Sequence, residues 1–248
     1  LKLLERLHLL KGKKLTRAAV LLFGKEPQQF CLSSYIQIGR FKADGSLLAM
    51  DEIKGNLFQQ VNETLDILKK KYLYSDIKIE GLYREDQLEI PDGALREALV
   101  NAIVHRDYSE GVTQIKVYPD YISIWNNGEL TRKLTIEKLK QKHPSFPRNE
   151  LIADVFYKAG LIEKWGSGTV KIINECAKAG LPDPYFELDA GGMQITFLKD
   201  ILNEEYLKKL QLNSRQIKAV LYVKDYGKIT NAEYQELNTT SKRTASTD

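Results

Sequence analysis

Apolar positions along the chain follow two periods, and the switches between them mark its elements. Leu57, Val61, Leu65 and Leu68 share one face of a helix predicted over roughly Lys54–Tyr72, with Gln60, Glu63 and Lys70 opposite. Pro91-Asp92-Gly93 predicts the start of another helix, ALREALVNAIVHRDY, with Asp92 as its N-cap. Thr113–Tyr118 and Tyr121–Trp125 alternate around Pro119-Asp120, which predicts a hairpin ending in a tight turn at Asn126-Asn127-Gly128. Upstream, an amphipathic helical start leads into apolar runs at Ala18–Phe23 and Tyr35–Phe41, both expected as strands, and Ile77–Glu89 reads as one or two strands. Leu130–Arg148 is polar and Pro-containing and predicts a loop with a short helix near Thr135–Lys140. Helices over Asn149–Lys158 and Gly168–Ala179 are expected next, then a strand pair, Phe186–Leu188 and Met193–Leu198, around Ala190-Gly191-Gly192.

After residue 200 the pattern turns wholly helical. Asp200–Gln211 reads as a polar connecting helix and Ser214–Tyr226 as an amphipathic one, with Asn231–Leu237 and a helix from Ser241 behind it. The expected organisation is three segments: 1–80, 81–200 and 201–248. The fold class implied is α/β, in an α+β sandwich arrangement.

A 43% apolar fraction supplies a core, while no apolar run approaches the roughly 20 residues of a membrane span. Cys31 and Cys176 form neither a disulfide framework nor a zinc-ligand spacing, so a reducing cytoplasm is the expected setting. A net charge of +4 permits nucleic-acid contact without arguing for it. The chain begins without Met and is expected to be a fragment of a longer protein.

Glu97 and Asn101 carry the most informative chemistry. Four residues apart on a helix, they are neighbours on one face. A carboxylate and an amide so stacked can hold a water and a metal-bound phosphate chain, the amide oxygen suiting Mg²⁺ and the carboxylate polarising the water. By spacing alone a solvated helix face is the commoner reading of such a pair.

The string REALVNAIVHRDYS resembles the N-box helix of the GHKL ATPases (the gyrase, histidine-kinase and MutL-like group), and within them the RecG-like or Schlafen–AlbA-type regulators. The downstream order is similar too: a hairpin, Asn126-Asn127-Gly128, a long loop, Arg148-Asn149, then GLIEKWGSG over 160–168. Residues 1–80, through LTRAAVLLFGKEP, resemble the end of a preceding AlbA-like domain and its connector. The resemblance implies ATP and Mg²⁺ as ligands. Glu97 becomes the general base and Asn101 the Mg²⁺ ligand. Asn126 and Gly128 fall at the adenine end, Arg148 at a phosphate contact from the loop, and Gly166 and Gly168 in a second glycine box whose backbone N–H groups face phosphates. The pattern departs from the family in three places: Asn126 replaces an Asp, and Leu130 and Val170 replace glycines.

The tail LNSRQIKAVLYVKDYGKITNAEYQELNTTSKRTASTD resembles the first part of a winged helix-turn-helix, cut before its wing. Ser241, Lys242, Arg243 and Thr244 are the expected contacts to double-stranded DNA. Two function classes fit these strings. One is an ATP-responsive transcription regulator with slow hydrolysis. The other is a degenerate ATPase fold serving as a scaffold or dimerisation module, and a homodimer is compatible with both. A helicase motor is excluded, because no Gly-x-x-x-x-Gly-Lys-Ser/Thr loop occurs.

Overall fold

The structure, a computed structural model, describes the chain apart from residues 74, 81–82, 132, 163–165 and 203, and apart from the side chains of 75–80, 83–87, 205, 206 and 209. Part of the second glycine-box motif, Glu163-Lys164-Trp165, therefore lies outside the described residues. Two compact units are present, Leu1–Lys199 and Asp200–Asp248.

The first unit opens with α1 (Lys2–Arg6), a small hairpin of β1 (Leu10–Lys11) and β2 (Lys14–Leu15), and α2 (Arg17–Phe23). Strands β3 (Ile36–Phe41) and β4 (Leu47–Ile53) precede α3 (Leu57–Ile67), which runs on as a π-helical turn to Tyr72. A two-stranded sheet of β5 (Ser75–Glu80) and β6 (Tyr83–Leu88) leads to α4 (Asp92–His105). Then come β7 (Thr113–Val117), β8 (Tyr121–Asn127), α5 (Ile136–Leu139), α6 (Glu150–Lys158), α7 (Gly168–Lys178), β9 (Tyr185–Asp189) and β10 (Gly192–Leu198).

Six strands form one mixed sheet in the order β4-β3-β7-β8-β10-β9. Every pairing is antiparallel except β3 with β7. Residues upstream and downstream of 80 thus share one sheet. Ile36, Ile38, Ile115, Ile122, Ile124 and Phe197 point their alternate side chains into the core. Ala190 and Gly191 both have positive φ (48° and 75°), the backbone required to close the two-residue β9–β10 turn.

α4 is the central helix of this unit. Eight of its fourteen residues are buried, including Leu95, Leu99, Ala102 and Ile103, so apolar side chains surround it rather than forming one stripe. A seam containing Glu97, Asn101 and His105 stays partly open, as do Asp92, Gly93 and Arg96 in the first turns.

Four expectations are corrected. The helical start stops at Arg6, where the chain passes into the β1–β2 hairpin that turns at Gly12 (φ 63°). Asn126 and Asn127 form no tight turn but continue β8, paired with Met193 and Gly192 of β10. Ala18–Phe23 lies within helix α2, not a strand. Thr16 decides it: its Oγ1 accepts from Ala19 N (3.1 Å) and caps the helix, a local signal that a short apolar run does not carry. Asp92 is the first helical residue rather than the cap, which is Pro91, and its carboxylate pairs with Lys69 at 2.6 Å.

The second unit contains α8 (Glu204–Lys209), α9 (Ser214–Tyr226), α10 (Asn231–Asn238) and α11 (Lys242–Thr247). Asn213 with Gln216, and Thr230 with Glu233, form reciprocal capping boxes, and Gly227 ends α9 in the left-handed conformation (φ 80°). Thr239 (φ 48°) makes the turn from α10 to α11.

Candidate nucleotide site

α4 ends where the chain turns sharply at His105-Arg106-Asp107. Arg106 is 1% exposed, and its guanidinium donates to three carbonyls: Tyr35 O (3.2 Å), Gly111 O (2.5 Å) and Ser33 O. Its plane lies 4.9 Å from the Tyr108 ring, whose hydroxyl donates back to Ile103 O (3.0 Å). Asn149 reaches the same turn from the start of α6, its Nδ2 donating to Val104 O (2.9 Å) and Arg106 O (2.7 Å). Asp107 N donates to Asn127 O (2.8 Å), pinning the end of β8 beside the end of α4. The His-Arg-Asp string is thus a clamp joining four segments.

Beside the clamp opens a cleft bordered by α4, β8, α7 and the 130–148 loop. Its floor is α4 and β8, one wall is α7 with β9 and β10, and its roof is the 130–148 loop. All seven residues expected at a nucleotide line it: Glu97, Asn101, Asn126, Gly128, Arg148, Gly166 and Gly168. They come from segments up to 71 residues apart in sequence. Apolar side chains such as Ile124, Ile172, Phe186 and Ile195 fill the spaces between them.

On the α4 seam, Asn101 Nδ2 donates to Glu97 Oε1 (3.2 Å), so the amide oxygen is the group left for a hard cation. Directly above is Gly168, the first residue of α7. A Cβ there would collide with Glu97 Oε1 and lie 3.3 Å from Asn101 Nδ2, so any side chain at 168 would have to turn the Glu97 carboxylate aside. Gly166 (φ 63°) is pressed in the same way by the His143 carbonyl of the loop. His143 also reaches Thr169 Oγ1 at 3.3 Å. Sequence reasoning passes over both His143 and Thr169, since neither shows its partner in local spacing.

At the other end, Asn126 is 4% exposed and its Nδ2 donates to Asn127 O (3.2 Å). Gly128 (φ 119°) fits between Arg148 Nε, His105 O and Asp107 N, each within 3.1 Å of where a Cβ would stand. Arg148 Nη2 donates to Glu129 O (2.9 Å), and Nη1 lies 3.6 Å from Asp107. It therefore links both ends of the loop to the clamp while facing the cavity.

His105 also lines the cavity, only partly open to solvent. Burial, with Arg148 and His143 nearby, pushes its pKa down to about 4. The folded protein thus holds this imidazole neutral, and its stability is complete above the unfolded value of about 6.5 and lost as pH falls toward 4. We expect about 2 kcal/mol of pH-dependent loss between pH 7 and 4.5 that His105→Gln lacks, measured by urea unfolding of both proteins. Equal losses in both would assign the acid lability elsewhere.

Among the described residues no group of three or more His, Cys, Asp or Glu could hold a metal on its own. Glu97 and Asn101 offer two hard oxygens, which fits Mg²⁺, an ion that keeps waters and takes phosphate oxygens rather than needing a full protein cage.

Residues 111–197 match a family model described as "Putative ATP-dependent DNA helicase recG C-terminal". The resemblance of this stretch is to an ATPase-type domain. The match includes Asn126, Gly128, Arg148, Gly166 and Gly168, while Glu97 and Asn101 lie upstream of it. The crystal structure of the DIP2311 protein from Corynebacterium diphtheriae is similar at TM-score 0.66 and 21% identity, over 99% of this chain and 52% of that one. At that identity the likeness is one of fold, and the chain spans about half the length of that protein. No curated protein matches the chain significantly. Among the described residues no helix is long and apolar enough to cross a membrane.

In the second unit, Ser241 caps α11, its Oγ accepting from Thr244 N (3.3 Å) and lying 3.1 Å from Thr244 Oγ1. Lys242 and Arg243 are exposed. Of the four expected DNA contacts, two are thus engaged in the cap and two are open cations.

Proposed function

We propose that the protein is a DNA-binding transcription regulator whose ATPase-like cavity takes ATP with Mg²⁺. The observation that carries this reading is the packing of Gly168 onto Glu97 and Asn101, which sets the start of α7 beside a carboxylate and an amide. Asn101 would hold the metal and Glu97 would accept a proton from an attacking water. Backbone N–H groups at Gly166 and Gly168 would face phosphates, and Asn126 with Gly128 the adenine. Mg²⁺ would offset the phosphate charge. The lipophilic walls at Ile124 and Phe186 suit an aromatic base. Lys242 and Arg243 on α11 would contact duplex DNA.

A second reading is a sensor or dimerisation scaffold without turnover. Asn126, Leu130 and Val170 favour it, since each departs from the family pattern and Leu130 packs its side chain against the core.

ATP regulates DNA binding only if it changes DNA affinity, and the coupling is reciprocal. Titration of a labelled duplex with the chain, with and without Mg·ATP, should give dissociation constants differing at least fivefold. Lys242→Ala/Arg243→Ala should weaken both. Identical constants with and without nucleotide would contradict the regulator reading.

A further inference from the structure

Charge is very unevenly distributed. Residues 1–17 hold Lys2, Arg6, Lys11, Lys13, Lys14 and Arg17 against Glu5 alone, a net +5, while the whole chain is +4; the other 231 residues therefore sum to −1. All six cations are exposed. None has an ion-pair partner among the described residues. Elsewhere, exposed lysines such as Lys70 and Lys158 pair with Asp66 and Asp154 one turn away.

This cationic segment is held in place. Leu9 is fully buried in the core, and Thr16 N donates to Leu9 O (2.9 Å), closing the base of the β1–β2 hairpin. Gly12 (φ 63°) makes the tip turn, with open space around it. Lys11 and Lys14 stand directly opposite each other across the ladder. Like charges so placed repel and weaken a hairpin, so the arrangement costs stability unless an anion binds between them.

We infer that the β1–β2 hairpin, with Lys11, Lys13 and Lys14, is a docking surface for the phosphate backbone of double-stranded DNA. A single strand is recognised by stacking its bases on aromatic rings, and residues 1–17 contain no Phe, Tyr or Trp. Membrane insertion calls for an amphipathic helix with an apolar face, and α1 has only five residues. A two-stranded ribbon suits the wide groove of B-form DNA and not the deep, narrow one of duplex RNA. The contact is independent of the cavity and of α11, and it reads charge rather than sequence.

The test uses the full chain and a labelled mixed-sequence duplex over a salt series. Each phosphate contact contributes about 0.9 to the slope of log affinity against log salt. The triple variant Lys11→Ala/Lys13→Ala/Lys14→Ala should flatten that slope by between about 2 and 3 and lower affinity at low salt by at least tenfold. Replacing the same three by Arg should restore both. Because the three side chains are exposed and the Lys11–Lys14 repulsion is relieved, the variant should melt no lower than the parent, and circular dichroism melts check this. Lys242→Ala/Arg243→Ala separates the two surfaces: a slope still reduced by the hairpin triple in that background supports the hairpin whatever α11 does. An unchanged slope in the triple variant would overturn the inference. So would loss of binding to phosphatidylserine vesicles with DNA binding intact, which would assign the surface to membranes.

Discussion

Replacing Arg106 by Ala should destabilise the first unit by about 3–5 kcal/mol, among the larger effects any single substitution produces. Gly111 O would lose its donor outright, costing about 1–3 kcal/mol unless water reaches it, Ser33 O and Tyr35 O would keep only the backbone N–H of Tyr35 and of Thr113, and the volume of the side chain would be left empty. The clamp fixes the size of the effect. Ser33 and Tyr35 lie just before β3, Gly111 just before β7, and Arg106 ties both to the end of α4. For a unit of this size the loss corresponds to a melting point lower by roughly 10 °C. Arg106→Lys should recover little, because an ammonium cannot present the planar fork that meets three acceptors. Calorimetry of the two variants decides the matter; a loss under about 1 kcal/mol would mean the carbonyls find other partners.

The second large effect is on chemistry. If Glu97 accepts the proton from water, Glu97→Gln should lower ATP turnover by a hundredfold or more while leaving nucleotide binding largely intact. The substitution keeps the shape and the contact with Asn101 and removes only the basic oxygen. Asn101→Ala should behave differently: it removes the proposed metal ligand and should abolish Mg²⁺-dependent binding along with turnover. A Glu97→Gln protein as active as the parent would remove Glu97 from the chemistry, whatever its place in the cavity.

Local signals in the sequence are strong wherever a cap or turn has its own chemistry. The Asn213 and Gly227 ends of α9, the β7–β8 hairpin and the i,i+4 placement of Glu97 and Asn101 all come from such signals. Ala18–Phe23 reads wrongly as a strand because six apolar residues in a row carry no period, and the deciding contact is the Thr16 cap. β4 escapes the pattern altogether. An edge strand with exposed Leu47, Leu48 and Met50 shows no clean alternation, although Asp44-Gly45 before it is a strong hairpin turn. The parallel pairing of β3 with β7 spans more than seventy residues and is invisible to any local window. Within the site, the residue types are legible and the contacts are not. Gly168 is expected from its motif to face phosphates, but its approach to Glu97 depends on how α7 packs against α4. Arg106 stands in the sequence as a cation beside Asp107; a buried guanidinium whose terminal nitrogens donate to the Ser33, Tyr35 and Gly111 carbonyls leaves no pattern there.

The central claim is that the α4 seam and the start of α7 together bind a magnesium–nucleotide complex. Thermal unfolding of the intact chain, titrated with ATP to millimolar concentration with Mg²⁺ and with EDTA, tests it most directly. Ligand at about one hundred times its dissociation constant stabilises the folded state by about 2.7 kcal/mol. The expected result is a melting point that rises with ATP only when Mg²⁺ is present, and no rise for Asn101→Ala. A melting point unmoved by Mg·ATP in the parent protein would contradict the claim and leave the fold as a scaffold.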